Sequence, residues 1–126
     1  MSKILIVDDD PIFVDSVKTA FEAKSYVLLT AYSRTEGFKK VRDENPNLIL
    51  LGTTMPRGSA FELHKELKDD LQYRNIPMLV VDASPENHAQ KGWRRDEGLM
   101  LDAEDYISRP VEPDLLLQRV EELLRR

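Results

Sequence analysis

The sequence has no cysteine. Disulfides, thiolate metal sites and cysteine nucleophiles are therefore excluded. The absence is compatible with the cytoplasm, and we expect the chain there. Glycine is scarce, at 5 residues, and no Gly-rich phosphate loop follows the first apolar run. Long apolar runs are missing too. Nothing approaches the roughly 20 residues that span a bilayer. The opening MSKILIVDDD puts acids straight after a short apolar run, which is no secretory leader. There is no surplus of positive charge either. Lys and Arg number 18 against 23 Asp and Glu, a formal net charge of −5. Such a chain has no long-range attraction to nucleic acid or to an anionic membrane, and neither is expected as a partner.

What is present is a balanced globular composition, 41% hydrophobic and 33% charged. The length suits one domain over residues 1–126 and is too short for two. There is no internal repeat, low-complexity tract or linker-like stretch. Short apolar runs alternate with helical patterns. Strands are expected at Ile4–Val7, Val27–Ala31, Leu48–Leu51, Met78–Val81 and Asp105–Ile107. Asp10 reads as an N-cap and Pro11 as the first residue of a helix over 11–23, with Phe13, Val17, Ala20 and Phe21 at helical spacing. Ser33 with Glu36, and Ser59 with Glu62, form capping-box patterns before two further helices. Ser84, Pro85 and Glu86 open a fourth. Pro113 starts a last helix with Leu116, Val120, Leu123 and Leu124 inward.

Five strands alternating with five helices predict an α/β fold. Continuous apolar strands suit a parallel sheet covered on both faces, a doubly wound sandwich. In such sheets chemistry gathers at the carboxyl ends of the strands. The first strand delivers Asp8 and Asp9 there, with Asp10 beyond. The third breaks at Gly52 into a loop with Thr53 and Thr54. The fourth delivers Asp82 and the fifth delivers Ser108, Arg109 and Pro110.

With these residues placed, the sequence resembles the receiver domains of two-component response regulators along its whole length. The segments that carry the resemblance are KILIVDDDP (3–11), PNLILLGTTMP (46–56), IPMLVVDAS (76–84) and DAEDYISRPV (102–111). The resemblance implies a flavodoxin-like sheet of order 2-1-3-4-5. It also implies an acidic pair that binds a divalent cation, usually magnesium, and a strand-three aspartate that accepts a phosphoryl group from a histidine kinase. A hydroxyl residue after strand four and a lysine after strand five contact that group. The acidic pair matches Asp8 and Asp9, the family's switch aromatic matches Tyr106, and Pro110 matches a proline whose preceding bond is typically cis. Three positions depart from the family. The phosphoacceptor position is Gly52, the hydroxyl position is Asp82 and the lysine position is Arg109. Residues 59 and 60 depart as well, and the stretch from Asp82 to Arg109 is longer than usual.

Phosphoryl transfer needs an oxygen nucleophile in line and positive charge around the transferred oxygens. Gly52 supplies no nucleophile, and Thr53 is expected to point elsewhere as a loop residue. A phosphoryl group would also meet Asp82, at a cost of roughly 1 kcal/mol if the site is wet and several if it is dry. Magnesium prefers an octahedron of oxygens. With one carboxylate lost, no cofactor is expected beyond a weak magnesium site, to which Asp82 could contribute. Arg109 offers another solution. Its fork can pair two carboxylate oxygens, so it could replace the cation with an internal network to Asp8, Asp9 and Asp82.

The expectation is thus a non-enzymatic, stand-alone pseudo-receiver that contacts protein partners without phosphorylation, with no output domain after Arg126. The alternative is a receiver still phosphorylated at Asp8, Asp9 or Asp82 with a divalent cation. A small-molecule binder reusing the acidic pocket stays open on fold grounds alone. In the family, the surface of the fourth helix, fifth strand and fifth helix commonly meets partners or a second copy. Trp93, Leu99, Met100 and Tyr106 fall in that region and are the candidate partner surface, with a histidine kinase or self-association as occupants. Lys91, Arg94 and Arg95 around Trp93 read as a solvated loop rather than a nucleic-acid site, because acids follow at once. His64 and His88 are expected at the surface.

Overall fold

In the computed structural model, the described residues are 2–53, 55, 59–82 and 105–125. They form β1 (Lys3–Val7), α1 (Pro11–Phe21), β2 (Val27–Ala31), α2 (Arg34–Glu44), β3 (Leu48–Gly52), α3 (Ser59–Asp69), β4 (Met78–Asp82), β5 (Asp105–Ser108) and α4 (Pro113–Leu124). The expected fourth helix from Ser84 lies outside the described residues, as do Thr54, His88, Trp93, Leu99, Met100 and the side chain of Tyr106.

The strands form one 5-stranded sheet in the order β2-β1-β3-β4-β5, as expected, and every adjacent pair is parallel. Alternation along the central strands divides the core. Leu5, Val7, Ile49, Leu51, Met78 and Val80 face one side, where Val41 of α2 and Leu63 and Leu67 of α3 cover them. Ile4, Ile6, Leu48, Leu50, Leu79 and Val81 face the other, beneath Val14, Val17 and Phe21 of α1 and Leu116 and Val120 of α4. This two-sided burial explains why the strands read as unbroken apolar runs.

Local signals set the ends of the helices. The Asp10 carboxylate accepts from the Ile12 and Phe13 amides, and Pro11 takes the first helical position, where no amide proton is needed. The helix stops at Phe21, short of the expected residue 23, because the apolar face ends there and residues 22–25 are exposed. Ser33 caps α2 by accepting from the Glu36 amide. Glu36 in turn accepts from the Tyr32 amide, at 2.6 Å, one residue earlier than a reciprocal capping box requires. Asn45 ends α2 in the left-handed conformation, with φ 49°. Ser59 is already helical rather than an N-cap.

Within α2, Gly37 lets the helix lie close to its neighbours. A Cβ there would stand 3.0 Å from Leu63 Cδ2 and 3.1 Å from Val7 Cγ1. His64 is not at the surface; it is 6% exposed. Ala60, Leu63, His64 and Leu67 share the buried face of α3, at the i, i+3, i+4, i+7 spacing of an inward helix stripe.

Candidate functional site

The carboxyl edge of the sheet is where the chemistry-bearing residues meet. Gly52 does not begin a loop. It is the last residue of β3 and pairs with Val81, because the buried register of β3 against β4 continues to that point. Asp82 likewise closes β4, opposite Ser108. The Arg109 amide donates to the Asp82 carbonyl at 3.0 Å, which carries Arg109 onto the edge. The Arg109–Pro110 peptide bond is cis.

Asp8 follows β1, and its amide donates to the Ala31 carbonyl at 3.0 Å. Its side chain is 1% exposed. One carboxylate oxygen accepts from the Asp10 amide at 2.9 Å, and the other accepts from Arg109 Nη2. The Arg109 side chain is itself only 12% exposed, so this is a buried ion pair. Arg109 Nη1 lies 3.6 Å from Asp10 Oδ2, which makes Asp10 both a helix cap and a second counter-charge. The guanidinium carbon sits 4.1 Å from the centroid of the Phe13 ring, one helical turn after Asp10. Arg109 Nε is buried with no hydrogen-bond partner among the described residues. The guanidinium is thus held by two carboxylates and an aromatic face.

The network differs from the expected one in its members. Asp8 is in it and Asp10 joins it. Asp82 has a different hydrogen-bonding neighbour, for its Oδ1 accepts from the Thr53 hydroxyl at 2.9 Å. Thr53 is fully buried, and its amide donates to the Val81 carbonyl at 3.3 Å. It is a bend residue just after β3, as expected, and it points to Asp82. Ending β3 at Gly52 turns the next side chain toward β4, where Asp82 receives it. Residue spacing alone contains no sign of that pairing. The Phe13 contact had one: an aromatic three residues after an edge carboxylate.

Gly52 lies directly beside the ion pair. A Cβ on residue 52 would fall 2.6 Å from Asp8 Cγ and 2.8 Å from Arg109 Nη2, far inside van der Waals contact. The space for a side chain at position 52 is filled by the Asp8–Arg109 pair. Among the described residues, no three His, Cys, Asp or Glu side chains stand close enough together to hold a metal ion. Gly52 offers no oxygen donor, and the Arg109 guanidinium sits against Asp8. A shallow cavity of about 390 Å³ opens beside the guanidinium, bounded by Phe13, Ser16, Pro110 and Val111.

Residues 4–121 match the profile of the response regulator receiver domain. The chain is 33% identical to the phosphate regulon transcriptional regulatory protein PhoB of Pseudomonas aeruginosa over 123 residues, covering 98% of this chain and 52% of PhoB. It is 28% identical over 124 residues to protein PilH of the same organism, covering 98% of both chains. This chain thus spans about half the length of PhoB and nearly all of PilH. A crystal structure of a CheY-like receiver domain protein from Methanospirillum hungatei superposes with a TM-score of 0.80 at 31% identity, covering 99% of this chain and 94% of that one. Sheet order and profile agree, and the chain belongs to the response regulator receiver domain family of two-component signalling.

Proposed function

We propose that this receiver no longer accepts a phosphoryl group and acts through phosphorylation-independent contact with protein partners. The observation that carries the reading is position 52. It bears no oxygen nucleophile, and the volume an acceptor side chain would occupy is taken by the Asp8–Arg109 ion pair. Electrostatics point the same way. Among the described residues of the edge, Asp8, Asp9, Asp10 and Asp82 outnumber the one guanidinium, that of Arg109, which disfavours an incoming phosphoryl dianion. Asp8 is poorly suited as a substitute acceptor, since one of its oxygens binds Arg109 and the other binds the Asp10 amide.

On this reading the domain is a non-enzymatic module that requires no magnesium and works in the cytoplasm. Its partners are proteins, either a histidine kinase or a second copy, rather than nucleic acid or membrane. Trp93, Leu99, Met100 and Tyr106 remain the candidate contact surface. A pull-down from native lysate in which Trp93→Ala retained every partner would remove that surface.

Incubation with acetyl phosphate and magnesium, followed by intact mass measurement, tests the central statement. The expected mass is unchanged. A phosphoryl adduct would refute the reading and favour phosphorylation at Asp8, Asp9 or Asp82 instead.

A further inference from the structure

We infer that Gly52 and Arg109 are a coupled pair, so that a side chain at position 52 becomes acceptable only when residue 109 is changed as well. This deepens the proposed function, because it makes the lost acceptor a property of two distant positions. Regaining it by the single change Gly52→Asp would leave the obstruction in place.

The argument is steric first. A Cβ on residue 52 would overlap Asp8 Cγ at 2.6 Å and Arg109 Nη2 at 2.8 Å, and the Asp8 oxygen that accepts from Arg109 is the atom it would meet most closely. Relief must come from one of those two side chains. Asp8 is poorly placed to give way. It is 1% exposed, and its other oxygen is held by the Asp10 amide at 2.9 Å. Rotating its carboxylate away would break that bond or the ion pair. Arg109 is constrained from several sides. Asp8 and Asp10 hold its two terminal nitrogens, Phe13 lies under its plane, and its backbone amide is tied to the Asp82 carbonyl.

The planar fork is what places Nη2 against residue 52. Lysine at 109 would keep one positive charge opposite Asp8 but end in a compact ammonium on a flexible stem. It could pair with Asp8 from the side of the neighbouring cavity and leave the space over residue 52 open. Arg109 is thus a positioning residue: it holds the Asp8 carboxylate where a larger residue 52 would need to be.

The test is a double-mutant cycle in urea with Gly52→Ala, Arg109→Lys and the two combined. Gly52→Ala should lower the unfolding midpoint clearly in the natural background, and by less than half as much with Arg109→Lys. If Gly52→Ala abolishes folding alone but not in combination, the coupling is supported. Equal midpoint losses in both backgrounds, or failure of both to fold, overturn it. In a second arm Gly52→Asp alone is treated with acetyl phosphate and magnesium. No phosphoryl mass is expected, and its appearance overturns the coupling. The two readings fail separately. A phosphorylated natural protein sinks the proposed function and leaves the coupling intact, whereas additive midpoints do the reverse.

Discussion

Replacing Arg109 with methionine should destabilise the domain by about 3–5 kcal/mol, because it removes the cation that pairs with a buried carboxylate. Methionine preserves much of the apolar stem, so packing loss is kept small and the charge is isolated as the variable. With the guanidinium gone, Asp8 remains 1% exposed, and the Asp10 amide is still one of its donors. The contact to Asp10 contributes little to this sum. Asp10 is 42% exposed and 3.6 Å away, the regime in which pairs contribute ~0–1 kcal/mol. The Phe13 face adds about 0.5–2 kcal/mol of cation–π attraction. Most of the loss therefore belongs to Asp8. Urea unfolding should show a lower midpoint with unchanged slope. In a thermal scan the shift should be roughly 12–20 °C for a domain of this size. Adding Asp8→Asn to Arg109→Met should recover part of the loss, since the buried negative charge disappears. A loss below about 1 kcal/mol would mean that solvent screens the pair as it screens surface bridges, and the account of a closed site would be wrong.

Other expectations are simpler. Thr53→Val keeps the buried shape and removes the hydroxyl that donates to Asp82; a loss of about 1–3 kcal/mol is expected in the same urea assay. His64→Leu should be neutral or stabilising by up to about 1 kcal/mol, because His64 Nε2 is buried without a hydrogen-bond partner among the described residues. Millimolar magnesium should shift the natural protein's melting temperature by less than about 1 °C, since only a ligand that binds the native state raises it. Tyr26 has its hydroxyl pKa raised above 10.0, by burial first and by the Glu121 carboxylate second. Its contribution to stability is therefore full below 10.0 and is lost as pH rises through the higher folded value. Tyr26→Phe should flatten that alkaline decline when unfolding is followed against pH.

The fold was legible because its signals are local and repeated. Apolar runs at Ile4–Val7, Leu48–Leu51 and Met78–Val81 suit strands buried on both sides, and Asp10-Pro11 and Ser33 announced helix starts. The ends were less legible. Gly52 reads as a breaker by residue type, yet the β3–β4 register carries it into the sheet. At the edge, spacing revealed which residues arrive but not which of them bond. Asp82 turned to Thr53 and Arg109 turned to Asp8 and Asp10. Those choices depend on where each side chain points after its strand ends, which a list of types does not contain. His64 is the plainest misreading. Its position in the stripe with Ala60, Leu63 and Leu67 outweighed its polarity.

Asp8 and Arg109 stand 101 positions apart along the chain. A ribosome releases the first long before the second exists. Until Arg109 emerges, any compact intermediate that buries Asp8 does so without its guanidinium, and closing that corner costs more than it does in the finished chain. A chain that stops before Arg109 lacks both this cation and α4, and proteases should cleave it faster than the full chain.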